Sequence, residues 1–257
     1  MELLRAPGES LRKQIDELND TISEKLMFLF VGPISIYSAV LSQAFFSGKP
    51  PALWVLLFLS VVTVSFCIWQ GRQLYLLLIN RNKYRLGYEC EQAVGQGLFL
   101  LARYGYNIYH DFPASKTFNI DHIAVGPHGV FAIETKGRAK SSKTKKENWK
   151  VKFDGEKLIF PERYEVKPIE QARRQAQWLG RWIEQATCEK VPVIPVLVVP
   201  GWFIDLPPEI TDVRVCNGKN FNFLTKNRIV LSENTIRKIS FQIEKECRTV
   251  KGRAYQK

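Results

Sequence analysis

The chain lacks the cysteine spacing that would organise disulfides or zinc. Its five cysteines, Cys67, Cys90, Cys188, Cys216 and Cys247, are scattered, odd in number and never form a C-x-x-C pair. Neither a disulfide framework nor a zinc site is indicated, and a reducing compartment is the expected setting. The three histidines, His110, His122 and His128, form no ligand cluster in the sequence. Internal repeats and low-complexity segments are missing too. Charge is absent from two stretches: residues 26–46 and 52–71 contain no Asp, Glu, Lys or Arg.

Those two uncharged runs read as membrane spans. At about 1.5 Å rise per residue, a helix over 26–46 covers roughly 30 Å, the thickness of a bilayer core. Ser47-Gly48-Lys49-Pro50-Pro51 makes a tight connection, and Trp54 and Trp69 near the ends of the second run suit the interfacial regions. A buried helical hairpin of a soluble protein is the competing reading, disfavoured by two adjacent runs of this length. A cleavable signal peptide fits poorly, because 25 polar residues precede the first run and a second run follows. Arg12, Lys13 and Lys25 precede the first span, and Arg72, Arg81, Lys83 and Arg85 follow the second, whereas the turn holds only Lys49. The positive-inside rule then puts both termini and the soluble domain on the cytoplasmic side of an inner membrane. Residues 1–25 read as a polar segment with a short amphipathic helix carrying Leu11, Ile15, Leu18 and Ile22, and residues 72–84 as a stalk.

A chain of 257 residues holds one domain of ordinary size beside such an anchor. Residues 1–71 hold only five of the 37 Lys and Arg but six of the 25 Asp and Glu, so the net charge of +12 lies entirely beyond them. A basic soluble part points to an anionic partner, nucleic acid or the membrane surface.

The chemistry concentrates in residues 119–137, NIDHIAVGPHGVFAIETKG. Two strand-like runs flank Gly126-Pro127-His128-Gly129, so the stretch reads as a β-hairpin. With its loop centred on Pro127-His128, cross-strand partners sum to 255 and Asp121 lies opposite Glu134. Alternation along the strand puts Lys136 on the same face. Two opposed carboxylates repel, and a divalent cation between them removes the conflict. Mg²⁺ takes one or two carboxylates together with water and phosphate oxygens. An isolated Glu-x-Lys reads as a solvated hairpin end; the matching Asp across the hairpin reverses that reading.

Asp-x(12)-Glu-x-Lys resembles the signature of the PD-(D/E)XK restriction-endonuclease-like superfamily. Gly87-Tyr88-Glu89-Cys90-Glu91, Ala93-Val94, Ile120-Asp121-His122 and Gly126-Pro127-x-Gly129-Val130-Phe131-x-Ile133-Glu134-x-Lys136 together resemble the nuclease-related domain, NERD, over roughly residues 85–200. The resemblance implies an α/β fold with a mixed sheet flanked by helices, here preceded by a two-helix transmembrane hairpin. It also implies a Mg²⁺ (or Mn²⁺) site built from Asp121 and Glu134, with Glu91 as a helix-borne further ligand or water-bridged partner. Lys136 becomes the water-orienting or electrophilic group, and Gln171 a supporting residue on a later helix. On physics alone, Glu91 or Glu89 reads as a solvated acid at a helix N-terminus.

Past the hairpin, Arg138, Lys140, Lys143, Lys145, Lys146, Lys150 and Lys152 form a basic run that could grip phosphates. Trp149 reads as core. Residues 148–161 read as a second hairpin turning at Asp154-Gly155, and Pro168 opens a helix to about Gln185 with Ile169, Ala172, Ala176, Leu179 and Ile183 as its buried stripe. Arg173, Arg174 and Arg181 on that helix are further phosphate candidates. Residues 191–199 read as a strand whose Pro192 and Pro195 suit an edge or an irregular start. Short strands are expected near 212–216 and 228–231, followed by a Ser232-capped helix over 233–247 and a disordered basic tail with Lys251, Arg253 and Lys257. The expected organisation is therefore a polar segment 1–25, spans 26–46 and 52–71, a stalk 72–84, a nuclease-like domain 85–231, and a C-terminal helix and tail 232–257. The leading expectation is a membrane-anchored, metal-dependent nuclease acting on DNA before RNA. Its rivals are a non-catalytic nucleic-acid- or protein-binding module at the membrane and a hydrolase of another phosphoester.

Overall fold

The computed structural model describes residues 2–140, 149–209, 211–226 and 228–251. Lys143, Lys145 and Lys146 of the expected phosphate-binding run, and Arg253 and Lys257 of the tail, lie outside the described residues. The chain opens with strand β1 (Glu2–Leu3), helix α1 (Glu9–Ser47) and helix α2 (Leu53–Phe99), which ends in a 3₁₀ turn over Leu100–Tyr104. Strands β2 (Asn107–Phe112), β3 (Ile120–Gly126), β4 (Gly129–Thr135), β5 (Lys150–Phe153), β6 (Leu158–Ile159) and β7 (Tyr164–Glu165) follow. Helix α3 (Lys167–Thr187) leads to β8 (Val193–Val198), β9 (Phe203–Asp205) and β10 (Arg214–Cys216), then to helix α4 (Glu233–Cys247) and β11 (Val250–Lys251). Contacts divide the chain into two units, residues 11–85 and residues 1–10 together with 86–257.

In the first unit the helices are longer than the sequence pattern predicts. No glycine or proline interrupts residues 9–31, so the polar segment 11–25 and the apolar run form one helix, α1, with Pro33 inside it. The stalk is likewise a continuous part of α2. Both helices are long and apolar enough to cross a membrane, and their most apolar 18-residue windows are 0% and 6% buried. Phe30, Ile34, Leu41, Phe45, Leu53, Leu57, Phe58, Val61 and Ile68 are all exposed. A soluble helical hairpin would bury such a surface. Between the helices, Tyr37 Oη lies 3.1 Å from Ser60 Oγ, and Lys25 Nζ sits 5.9 Å above the Trp69 ring.

The second unit is mixed α/β. A five-stranded sheet has the order β10-β8-β4-β3-β2, with β10, β8 and β4 parallel and β4, β3 and β2 antiparallel. Strict alternation sorts the central hairpin onto two cores. Ile123, Val125, Val130 and Ala132 pack with Ala176, Leu179 and Ile183 of α3 and Ile236, Ile239 and Ile243 of α4. Ala124, Phe131 and Ile133 pack with Val94 and Leu98 of α2. A second sheet, β7-β6-β5-β9, buries Val151, Phe153 and Leu158 against Ile169 and Ala172 at the start of α3. The hairpin predicted at Asp154-Gly155 joins β5 to β6, with Gly155 at φ +103°. Ser232 caps α4 by accepting from the Thr235 N–H at 3.2 Å, a contact worth about 1 kcal/mol.

Four local expectations are corrected. Residues 228–231 contain no strand among the described positions; Val230 and Leu231 instead donate their N–H groups to the Pro127 carbonyl at the hairpin turn (2.9 and 3.1 Å). Of the two readings of Pro192 and Pro195, the irregular start holds and the edge does not: β8 begins at Val193 and lies between β10 and β4. The Lys136 N–H donates to Val198 O while the Val199 N–H donates to Cys216 O, so the Pro195 nitrogen faces the β10 side, where pairing starts only at Val196. Trp149 is half exposed, edge-on to the equally exposed Phe203 at 5.3 Å. Finally, the tail begins ordered: Val250 and Lys251 pair antiparallel with Leu3 and Glu2.

Candidate active site

The hairpin register is the one the sequence predicts. Gly126↔Gly129, Val125↔Val130, Ala124↔Phe131, Ile123↔Ala132 and His122↔Ile133 are paired, and one step further come Asp121 and Glu134. By alternation both acids and Lys136 fall on the α3 face, the face of Ile123, Val125, Val130 and Ala132. Pro127-His128 forms the two-residue loop, and Gly129 takes φ +132°, a region that favours glycine. Gly137 follows Lys136 because α2 passes there: an added Cβ would stand 3.0 Å from Cys90 Sγ and 3.3 Å from the Leu86 carbonyl oxygen.

Glu134 is 2% exposed and held from both sides. Lys136 Nζ donates to Oε1 at 3.1 Å and Gln175 Nε2 donates to Oε2 at 2.7 Å. Lys136 Nζ also donates to Gln171 Oε1 at 3.3 Å, so the sequence-predicted Gln171 stands beside the lysine. Asp121 is partly exposed, and its Oδ2 accepts the Thr135 N–H at 2.7 Å. Burial and the carboxylates of Glu134 and Glu91 push Asp121 well above the usual range, against the pull of the Thr135 N–H and Lys136. Burial also raises Glu134, although Lys136 and the Gln175 amide oppose it. Glu91 lies mid-helix in α2 rather than at a helix N-terminus, and is 7% exposed, whereas Glu89 is exposed. Burial first, then Asp111 and Glu134, push Glu91 up to about 8, while Lys136 and a hydrogen bond from the Gly8 N–H hold it down.

The donor set is hard oxygen, which suits Mg²⁺ or Mn²⁺ over softer metals. Among the described residues no three His, Cys, Asp or Glu side chains form a ready metal-binding group. Asp121 and Glu134 form a carboxylate pair, with the Lys136 ammonium bonded to Glu134 and its charge also felt by Asp121. Such a pair fits the one or two protein carboxylates that Mg²⁺ takes when water and phosphate complete its shell.

Two further groups in the site carry no signal in the hairpin motif. Gln175 bridges Glu134 and the Asn119 carbonyl (3.1 Å), and is 1% exposed. It lies four residues after Gln171, hence on the same helix face, and is a polar residue inside an apolar stripe. Asp111 interrupts β2 at φ +49° and is 2% exposed. Its carboxylate accepts from Arg5 Nη1 (3.1 Å), the Ser10 N–H (3.0 Å), Ser10 Oγ (2.8 Å) and Asn119 Nδ2 (2.9 Å). Residues 5–10 are thus fastened beside Glu91. The paired His110 and His122 touch Nδ1 to Nδ1 at 2.8 Å; burial holds His110 down to about 4 and puts His122 well below its ordinary value.

The expected phosphate contacts divide. Arg138 is committed to Glu165, Nε to Oε1 at 2.9 Å and Nη2 to Oε2 at 2.5 Å. Burial works to raise Glu165, yet the bonds from Arg138 and Arg163 keep it below its usual value. Arg173 pairs with Asp212 at 2.5 Å, and Lys140 Nζ lies 5.8 Å over the Trp202 ring. Arg174 is exposed and lines a cleft beside Gln171. Residues 86–200 match the family model described as the nuclease-related domain, NERD. No curated protein and no solved structure matches the chain.

Proposed function

Since residues 86–200 are a nuclease-related domain of the PD-(D/E)XK-like nuclease family, we propose that this protein is a membrane-anchored, divalent-metal-dependent nuclease with a restriction-endonuclease-like core. The observation that carries the reading is the convergence of Asp121, Glu134, Lys136 and Gln171 at one end of one sheet face. Asp121 and Glu134 would hold Mg²⁺ or Mn²⁺, with Glu91 a further or water-bridged partner. A cation there would polarise a phosphoryl oxygen and lower the pKa of a water. Lys136 has two of its three N–H groups engaged by Glu134 and Gln171. Among the described residues the third has no partner, and it would orient the attacking water or meet charge growing on the phosphate. Gln175 fixes the Glu134 carboxylate so that it does not reorient as charge changes. The exposed apolar helices α1 and α2 support anchoring in an inner membrane, and the flanking positive charge supports a cytoplasmic domain. The basic domain favours nucleic acid over other phosphoesters, DNA before RNA.

The test uses the full chain in detergent, because residues 1–10 belong to the same unit as the site. Plasmid nicking and Mg²⁺ or Mn²⁺ binding are measured for the wild type and Glu134→Ala. Nicking and metal binding in the wild type alone support hydrolysis. Equal DNA binding in EDTA, with no nicking in either metal, would instead establish a binding module.

A further inference from the structure

The cleft between α3 and the loop before β3 borders the hydrolytic site at Gln171 and Gln175 and adds aromatic and cationic groups that the site does not use. We propose that it binds one unpaired nucleic-acid strand, holding nucleotides adjacent to the phosphate that is cut; this rests on the nuclease reading above. The cleft has a volume of about 580 Å³ and is bounded by Phe118 and by Gln171, Arg174, Gln175, Trp178 and Arg181 of α3. That volume lies in the range of small-ligand sites. The helix positions recur at three- and four-residue steps, so they share one face.

Each part has a matching feature on a strand. Arg174 and Arg181 are exposed, and no ion pair is recorded for either among the described residues, whereas the neighbouring Arg173 is neutralised by Asp212. The uncompensated charge therefore faces the cleft side and suits phosphates. Trp178 is braced edge-on by Phe118 at 5.7 Å and stacked on Trp182 at 6.4 Å, a fixed aromatic surface for a base. Bases inside a duplex are already stacked on each other and cannot reach it; unstacked bases can. Gln175 also lines the cleft, and among the described residues its buried Oε1 has no hydrogen-bond partner, the kind of group that an ordered water satisfies. Gln171 joins the two places, since its Oε1 takes the hydrogen bond from Lys136. A strand lying along α3 is thereby led to the lysine.

The test measures fluorescence anisotropy of labelled oligodeoxyuridine, oligouridine and a hairpin duplex, each of about twelve nucleotides per strand, with the full chain in detergent and EDTA. Both single strands are expected to bind about tenfold more tightly than the duplex, and Trp178→Ala to lose about tenfold of that affinity. Arg174→Ala and Arg181→Ala are expected to lower the slope of log affinity against log salt by about 0.7 each. Because Trp178 also packs on Phe112 and Trp182, the exposed arginine variants supply the readout that folding does not confound. Oligodeoxyuridine against oligouridine, which carry the same base and differ only in the 2′-hydroxyl, assigns the sugar. Equal binding of duplex and strands, or arginine variants with unchanged slopes, overturns the site. If the wild type nicks plasmid in Mg²⁺ without that preference, only this site falls; if strands bind as expected but nothing is cut, only the hydrolytic reading falls.

Discussion

The two units are inverted in opposite senses. In residues 11–85 the apolar side chains lie outside, with Phe30, Ile34, Phe58 and Val61 each more than half exposed. In the other unit three carboxylates lie inside, Glu91, Asp111 and Glu134, each at most 7% exposed. Burying carboxylates and exposing apolar surface both cost free energy in water. On the function proposed above, each inversion would become favourable with its own partner: acyl chains for the first, and a cation with phosphate oxygens beside Asp121 and Glu134 for the second. The comparison teaches that the partners of a chain can be inferred from where its burial is the wrong way round.

The largest expected effect tests the buried half. Glu134→Gln keeps the shape and the Gln175 contact but removes the charge. It should lower cleavage on the order of 10²–10³-fold and abolish any rise in melting temperature on adding Mn²⁺, read by calorimetry. The exposed half is tested by Val61→Arg, midway along the second uncharged run. A charge at a span centre costs about 2.5–3.5 kcal/mol of insertion, so more of this variant should be extracted from membranes by carbonate than of Lys49→Arg in the turn.

pH sharpens the comparison within the buried half. His110 has a folded pKa depressed to about 4, so its contribution is fully present above about 6.5 and is lost as pH falls toward 4. At about 1.4 kcal/mol per unit that is on the order of 3 kcal/mol. Glu91 behaves oppositely. Its folded pKa, raised to about 8, makes its contribution fully present below its ordinary value and lost as pH climbs through about 8. Denaturant unfolding in EDTA should therefore weaken in acid for the wild type but less for His110→Asn, and weaken toward pH 8.5 less for Glu91→Gln. The smallest effect is Gln175→Ala, which leaves one Glu134 oxygen without its donor. It should cost about 1–3 kcal/mol of stability and reduce cleavage without changing strand binding in proportion.

Short-range patterns made much of this fold legible. The hairpin register followed from two glycines and strict alternation, the Ser232 cap from a hydroxyl before a periodic run, and the α3 stripe from its spacing. The charged core pair was legible for the same reason: Asp121 and Glu134 face each other across a two-residue loop. What escaped depends on distant partners. Arg138 and Arg173 read as free cations until Glu165 and Asp212, 27 and 39 residues away, are placed beside them. Asp111 carries no local signal in the sequence, because Arg5 and Ser10 lie more than 100 positions upstream. Pro195 left both an edge and an irregular start open, because its open side is set by where β10 begins. Gln175 alone left a readable local trace, a polar position in a buried stripe.

The antiparallel pair of β1 with β11 has a consequence for the order of assembly. Residues 2–10 leave the ribosome early, yet what they bind (Gln92, Asp111, Cys247, Val250) is translated only after both uncharged runs, 26–46 and 52–71, have been made. The early segment must wait, unpartnered, through the synthesis of both runs. The nuclease-related unit is thus a loop closed late, joined to the hairpin by two covalent crossings instead of one. Cutting the backbone at either crossing would leave its fragments still clasped together.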